Sequence, residues 1–163
     1  MIGQEKVYET LKALGIEFDY LEHPEAPTIE IARQYWKNLD STHCKNLFFR
    51  NHKGNRHYLV IFHCDRNLAI HDLEQLLKQG KLSFASEKRM EKYLGLKPGS
   101  VSPFGLVNDT EHHVYVFLDE NLKQARKLSF HPNDNRASLA IKTEDFIRYM
   151  DYTGNSYEWI ELY

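Results

Sequence analysis

The feature of this sequence that most constrains its fold is the way its strand-like segments are connected. Segments 45–50 and 57–63 are joined by NHKGN, whose Gly-Asn pair is typical of a hairpin. Segments 126–130 and 137–142 are separated by the turn sequence HPNDN. Short turns join antiparallel strands, whereas parallel strands require a long crossover connection. The pattern therefore favours an α+β fold over a strict alternation of strands and helices.

The remaining segments complete this prediction. Further strands are predicted at 16–23, 81–85, 113–119 and 156–163. Helices are predicted over 3–14, from an N-cap at Thr28 to about residue 37, from an N-cap at Asp72 to Gly80, from an N-cap at Ser86 to Gly95, and after an N-cap at Thr143. We expect one domain over residues 1–163, in which helices flank a curved, mixed or antiparallel sheet.

Charge and cysteine content narrow the class of protein. The 163 residues carry a net charge of −2, so a nucleic acid would have to be bound by a local basic patch. The two cysteines are too few for a disulfide scaffold, and the first residues lack the pattern of a secretory signal peptide. No apolar run approaches the roughly 20 residues that span a bilayer. We therefore expect a cytoplasmic protein with reduced thiols.

A lysine occupies an unusual place in the first predicted hairpin. In THCKNLFFR, alternation along a strand puts Lys45 on the same face as Leu47 and Phe49. If this face is directed inward, the ammonium group lies at the edge of the pocket or core that Leu47 and Phe49 line. An exposed lysine at a strand edge is the plainer alternative.

The segment KPGSVSPFG is a candidate anion-binding loop. Gly99, Pro103 and Gly105 turn the chain sharply and leave successive N–H groups unobstructed by side chains. Such a loop suits a carbonyl oxygen that becomes negative during acyl transfer, and an ordinary surface loop is the alternative. His131 precedes a proline that holds it extended, which leaves it a candidate hydrogen-bond donor, acid/base group or turn residue.

Two groups of basic residues are candidate contacts for phosphate groups. Lys88, Arg89 and Lys92 lie in one predicted helix, and Arg33 and Lys37 lie in another. The solvated faces of surface helices have the same composition, so both interpretations remain open.

No metal or cofactor site is predicted. Neighbouring residues in a strand point to opposite faces, so neither His43-Cys44 nor His63-Cys64 readily offers both ligands to one ion. The sequence contains no P-loop, no GxGxxG and no GxSxG. Cys44 beside Lys45 leaves an activated thiolate as an alternative nucleophile, although no partner is identifiable from spacing.

Three longer segments together resemble a known family. CKNLFFRNHKGNRHYLVIF, KLSFASEKRMEKYLGLKPGSVSPFGLVND and LSFHPNDNRASLAI are similar, in this order, to the YbaK/prolyl-tRNA synthetase-associated domain family and to its free-standing ProX-type branch. The resemblance implies a curved or barrel-like mixed sheet surrounded by helices. It also implies a trans-editing deacylase that hydrolyses alanine mischarged onto proline tRNA.

The resemblance also assigns roles to particular residues. The family's shared lysine and asparagine fall on Lys45 and Asn46, and the histidine of its late HP motif falls on His131. Its Gly-x-x-x-Pro loop falls on Gly99 to Pro103. Lys45, Gly99 and His131 are therefore the expected catalytic residues. An aminoacyl ester is already activated, so a positioned water and a stabilised oxyanion suffice, and the substrate's own ribose hydroxyl is a candidate base.

The expected binding residues follow from the same motifs. Those expected to contact the substrate are Asn46, Ser100, Val101, Ser102, Pro103, Phe104, Ile31 and Phe48, the last three as candidate pocket walls. Those expected to contact tRNA are Arg33, Lys37, Lys88, Arg89 and Lys92. The expected partners are the acceptor end of a mischarged tRNA and, as a candidate, a prolyl-tRNA synthetase, with no cofactor, membrane or DNA. A deacylase for another mischarged tRNA, such as cysteinyl-tRNA, and a non-catalytic tRNA- or synthetase-binding module are the alternatives.

Overall fold

An eight-stranded mixed sheet organises the fold in the computed structural model, which describes residues 1–25, 29–37 and 39–163. The strands are β1 (Asp19–Glu22), β2 (Thr42–Asn51), β3 (His57–His63), β4 (Leu82–Phe84), β5 (Tyr115–Asp119), β6 (Lys127–Phe130), β7 (Ala137–Lys142) and β8 (Tyr157–Ile160). They are ordered β1-β7-β6-β2-β3-β5-β8, and β4 pairs with β2 beside this path. The predicted α+β fold with a mixed sheet is confirmed, and among the described strands the sheet is open rather than closed into a barrel.

Both predicted hairpins are present as antiparallel pairs, β2 with β3 and β6 with β7. Parallel pairing joins β2 to β6, β3 to β5 and β5 to β8, which makes the sheet mixed. Because β3 covers β2 from Cys44 to Arg50, the other edge of β2 is left for two short partners. There, β6 pairs with Thr42 and His43, and β4 pairs with residues 49–51. Between them, residues 44–48 have no strand partner on this edge among the described strands.

Helices surround the sheet. They are α1 (Glu5–Ala13), α2 (Ile29–Trp36), α3 (Ile70–Leu77), α4 (Glu87–Leu94) and α5 (Thr143–Thr153), with short 3-10 helices at Pro103–Asn108 and Glu120–Gln124. None of the helices in the described part of the chain is long and apolar enough to cross a membrane.

The predicted helix caps have mixed outcomes. Ser86 caps α4 as predicted, because its hydroxyl accepts a hydrogen bond from the Arg89 backbone N–H. The caps predicted at Asp72 and Thr143 are wrong. Asp72 lies inside the first turn of α3, and the Thr143 hydroxyl donates to the Ala125 carbonyl, 2.6 Å away. The cap predicted at Thr28 lies outside the described residues.

The sheet is apolar on both faces in its centre, where β2 and β3 lie. Phe48 packs into one hydrophobic cluster with Leu59 and Ile61, and Phe49 packs into a second cluster with Val60 and Phe62. The simple alternation of an inward and an outward face therefore does not hold for β2, because helices and loops cover both sides. Lys45 shares the face of Phe49, as the alternation predicts, and lies opposite Phe62 in the strand register.

Phe104 lies at the centre of the first cluster rather than at the wall of a pocket. Its ring is fully buried and packs edge-to-face against Phe130 and Tyr149, with centroid distances of 5.9 and 5.3 Å. We predict that Phe104→Ala lowers the free energy of unfolding by about 3–5 kcal/mol in urea denaturation, because the cavity it leaves cannot collapse fully. Tyr152→Ala is the control, since Tyr152 is exposed. A cost equal to that of the control would contradict this assignment.

Candidate active site

A cavity of about 350 Å³ opens at the stretch of β2 that lacks a second strand partner. Residues 44–48 of β2 form one wall, and Ala32 and Trp36 of α2 form another. The cavity is completed by the loop after α4 and by β6 and β7. The residues contributed by these segments are Pro98, Gly99, Val101, Ser129, Phe130, His131 and Ser138, with Phe84 and Met90 at the side.

The alternation of β6 divides the cavity into an apolar and a polar side. Leu128 and Phe130 face the main hydrophobic cluster, while Ser129 and His131 are directed to the other face of the sheet. Ser138 of β7 joins them in lining the cavity, and Trp36 of α2 covers this face. A small substrate is thus offered apolar contacts on one side and hydrogen-bonding groups on the other.

The Gly99 to Pro103 loop presents its backbone to the cavity. Gly99 and Val101 line the cavity, and Gly99 has a φ of +85°, in the left-handed region that favours glycine. Ser100 N–H is already donated to the Lys97 carbonyl at 3.1 Å, and Pro103 has no N–H. The N–H groups of Gly99, Val101 and Ser102 find no acceptor among the described residues. These three are therefore the candidate donors to an oxyanion.

Lys45 lines the cavity and is half-buried, and we call the part of the cavity at Lys45 its mouth. Its ammonium group donates to the Arg66 carbonyl and to Asn67 Oδ1, each 2.5 Å away. No carboxylate of the described residues forms an ion pair with it. The connection between β3 and α3 therefore orients the lysine without neutralising its charge, which remains available to an anionic group.

His131 contributes a neutral acceptor. Its Nδ1 lies 2.8 Å from the Ala137 carbonyl, which can only accept, so Nδ1 carries the proton and Nε2 carries a lone pair. Burial lowers the pKa of His131, which favours this uncharged form. Asn46 also lines the cavity, and its amide donates to the Cys44 carbonyl at 3.3 Å.

Two histidines to which sequence reasoning assigns no role in the site are hydrogen-bonded to serines of the cavity. His43 Nδ1 forms a short hydrogen bond with Ser129 Oγ, and the His43 ring stacks on Trp36 at 4.4 Å. On the other side, His23 Nε2 lies 2.9 Å from Ser138 Oγ. Burial lowers the pKa of His43 to about 4, so this ring is uncharged near neutral pH.

The other predicted contacts divide into those at the cavity and those away from it. Phe48 and Val101 line it, whereas Ile31 and Phe104 are not among its described lining residues. Ile31 is more than one-third exposed, and Phe104 is in the core, as described above. The remaining loop residues stabilise the loop itself. Ser102 Oγ accepts a hydrogen bond from Phe104 N–H, and the Pro103 carbonyl accepts one from the Tyr149 hydroxyl. Ser100 is buried.

The basic residues expected at tRNA are in different situations. Arg33 forms an ion pair with Asp65, and Arg89 donates to the Gly54 carbonyl at 2.9 Å and to His57 at 3.0 Å. Both guanidinium groups thus have structural partners on the hairpin or its flank. Lys88 and Lys92 are exposed on α4, and Lys37 lines a second depression beside the cavity.

The cysteines do not have the environment of a nucleophile. Burial raises the pKa of the Cys44 thiol and of the Cys64 thiol, which disfavours the thiolate that attack requires. Among the described residues, His63, Cys64 and Asp65 bring ligand atoms within 4.8 Å of one another. However, the Asp65 carboxylate is paired with Arg33, and His63 Nδ1 accepts the Asp65 N–H. We therefore assign no metal site to this cluster.

The chain is similar to known proteins over most of its length. The family model of the aminoacyl-tRNA editing domain matches residues 23–149. The chain is 39% identical over 163 residues to the prolyl-tRNA editing protein ProX of Acetoanaerobium sticklandii, covering 99% of each chain. It is 33% identical to prolyl-tRNA synthetase associated domain-containing protein 1 of Mus musculus, covering 95% of each.

Two solved structures share the fold. One is described as a hypothetical protein, with a TM-score of 0.73 at 21% identity, covering 96% of this chain and 99% of the other. The second is provisionally described as a trans-editing enzyme for prolyl tRNA synthetase, with a TM-score of 0.70 at 21% identity, covering 96% and 94%.

The buried neutral histidines predict a dependence of stability on pH. The pKa of His43 is lowered from 6.5 to about 4, so the unfolded chain takes up this proton before the folded one. We expect the free energy of unfolding to fall as the pH is lowered from 6.5 towards 4, with a shallower slope in His43→Gln. Urea denaturation across this range measures it, with His52→Gln, at an exposed histidine, as the control. Identical slopes in His43→Gln and the wild type would contradict the assignment.

Proposed function

The chain belongs to the family of aminoacyl-tRNA editing domains, which makes it an aminoacyl-tRNA hydrolase, and we propose that its substrate is alanine mischarged onto proline tRNA. A relative that covers the whole chain at 39% identity is described as a prolyl-tRNA editing protein, which supports the link to proline tRNA. We further propose that it acts in trans, in the cytoplasm, on the acceptor end of the mischarged tRNA, with prolyl-tRNA synthetase as a partner.

The proposal for alanine rests on a limit of molecular recognition. A pocket that accepts proline cannot strongly reject a smaller amino acid, because each missing methylene is worth only about 1–3 kcal/mol. A second site that admits alanine and excludes proline supplies the remaining discrimination. In this chain the walls of that site are apolar side chains on rigid strands, with Phe48 on β2 and Phe130 on β6.

One observation carries the proposal: the cavity brings together Lys45, Gly99 and His131, which lie on three separate elements. The lysine is a cation at the mouth, the loop offers unpaired N–H groups, and the histidine offers a neutral acceptor. Hydrolysis of an activated ester needs these functions more than it needs a nucleophile.

The steps follow from this arrangement. The terminal adenosine brings anionic groups to Lys45, and the aminoacyl group enters the cavity. The free N–H groups of the Gly99 loop stabilise the oxyanion that forms when water attacks the ester carbonyl. His131 Nε2, held by the Ala137 carbonyl, accepts a hydrogen bond from the substrate or the water. The free hydroxyl of the substrate's own ribose accepts the water's proton and passes its own proton to the ester oxygen, which leaves as the second ribose hydroxyl when the bond to the acyl carbon breaks.

The tRNA body approaches the same side as the cavity mouth in this proposal. Of the five basic residues expected to contact tRNA, Lys37, Lys88 and Lys92 have no ion pair among the described residues, and Lys37 lines the adjoining depression. Arg33 and Arg89 serve mainly to hold Asp65 and the hairpin.

A panel of charged tRNAs tests the substrate. We predict that the purified protein hydrolyses alanyl-tRNA for proline rapidly and leaves prolyl-tRNA intact, as measured by loss of radiolabelled ester against a reaction without enzyme. Cysteinyl-tRNA for proline is included as the competing substrate. If cysteinyl-tRNA is cleaved and alanyl-tRNA is not, the specificity for alanine is wrong while the hydrolase assignment stands.

Removal of the cation at the mouth tests the arrangement itself. We predict that Lys45→Ala lowers turnover about 10²- to 10³-fold, because the ester is no longer held in position against the N–H groups of the Gly99 loop. The matched control is Lys53→Ala, an exposed lysine in the turn between β2 and β3, which keeps full activity. Thermal unfolding of both variants confirms that they are folded. Undiminished turnover in Lys45→Ala would remove Lys45 from the site.

A further inference from the structure

The substrate brings a positive charge into the cavity that the groups described so far do not bind. An α-amino group has an ordinary pKa of about 7.7 and is mostly protonated at pH 6.5. A buried cation needs acceptors, and a carboxylate is the usual one. Yet none of the described residues that line the cavity is Asp or Glu. The ammonium group must therefore be received by neutral oxygen or nitrogen atoms.

The polar groups of the cavity are not equally free to accept. Ser138 Oγ already accepts from Trp36 Nε1 at 3.3 Å and donates to His23. The direction of the second bond follows from the His23 tautomer, because its Nδ1 faces the Pro24 carbonyl at 2.9 Å and must donate there. Asn46 Oδ1 has no donor among the described residues, but it is enclosed and shut off from solvent.

Ser129 is in a different state, because His43 is its single hydrogen-bond partner among the described side chains. His43 Nδ1 forms a short hydrogen bond with Ser129 Oγ, and no second side chain of the described residues donates to that oxygen. A hydroxyl oxygen has two lone pairs, so Ser129 Oγ keeps both for another donor when His43 accepts the serine hydrogen.

We propose that Ser129 binds the α-ammonium group of the aminoacyl ester, and that His43 is the positioning residue that keeps the serine oxygen an acceptor. The proposal rests on the proposed function and adds a contact that confers specificity for a free amino acid. Ser129 is buried and lines the cavity, as does His131, which follows it by two residues. His43 reaches it through the parallel pairing of β2 with β6, in which His43 and Ser129 are register partners.

The charges of the site fix the orientation of the substrate. Lys45 is held at the mouth by the β3–α3 connection and repels the ammonium group. The polar face of β6 and β7 carries no cation in the cavity, because both Ser129 and His131 are uncharged and the pKa of His131 is lowered by burial. The adenosine end therefore lies towards Lys45 and the amino group towards Ser129.

The test compares two esters of the same tRNA. Lactyl-tRNA, prepared by deaminating alanyl-tRNA, carries a hydroxyl group in place of the ammonium group at nearly the same size. We predict that Ser129→Ala lowers hydrolysis of alanyl-tRNA at pH 6.5 about 10- to 100-fold, the range for a lost hydrogen bond to a charged group. Hydrolysis of lactyl-tRNA by the same variant falls much less, so the ratio of the two rates decreases.

Three further variants separate binding from packing. His43→Phe keeps a ring on Trp36 but frees the Ser129 hydrogen to face the ammonium group, so the ratio falls here too. If Ser129→Ala does not fold, Ser129→Gly takes its place, and we expect it to lower the ratio of the two rates in the same way. Ser138→Ala is the matched control, a buried serine of the same cavity whose hydroxyl already has two protein partners, and it changes both rates by one common factor.

The outcomes are distinct. A selective loss on alanyl-tRNA in the Ser129 and His43 variants supports the proposal. An equal loss on both esters, or no loss, overturns it and leaves the hydrolase assignment intact. A selective loss in His131→Ala but not in Ser129→Ala assigns the ammonium group to His131 instead and also overturns it. If the wild type hydrolyses neither ester, the proposed function fails, and this proposal fails with it.

Discussion

Strand β2 is the constraint on which the site depends, because its two edges are used differently. One edge is hydrogen-bonded to β3 from Cys44 to Arg50, which fixes the strand in the sheet. The other edge pairs only at its ends, with β6 and with β4, and the cavity lies between these two pairings. A gap in a sheet is costly unless its polar backbone groups are satisfied. Here it is a place where a ligand can approach rigid backbone without displacing a neighbouring strand.

The same gap explains why the functional side chains come from distant parts of the sequence. β6 pairs with β2 in parallel, although the paired residues lie far apart in the sequence. The hydrogen bond between His43 and Ser129, for example, joins residues that are 86 positions apart. The Gly99 loop is brought over the gap by α4, whose C-terminus at Leu94 packs with the following 3-10 helix into the main cluster. Each element is positioned by its apolar residues, and the polar residues between them project into the cavity.

Much of the fold could be predicted from local patterns, and much of the site could not. The hairpins and the Ser86 cap follow from turn residues and capping chemistry, which act over a few positions. Alternation and turn residues point to Lys45, the Gly99 loop and His131, and the family resemblance assigns their roles. Their proximity depends on pairings that no local pattern specifies. Ser129 and Ser138 give one signal, a polar residue between apolar neighbours in LSF and ASL. That signal marks the face of a strand but does not reveal whether a cavity or solvent lies beyond it.

The absence of a carboxylate from the described cavity lining has a chemical consequence. A carboxylate would bind the substrate's ammonium group more strongly than a serine oxygen does. It would also place a negative charge beside the carbonyl oxygen, which becomes negative itself in the transition state, and would raise the barrier. In the proposed arrangement, a neutral acceptor such as Ser129 binds the amino group without opposing that charge. The weaker ground-state binding is then acceptable, because the proposed contact of the tRNA end with Lys45 supplies binding energy remote from the reacting atoms.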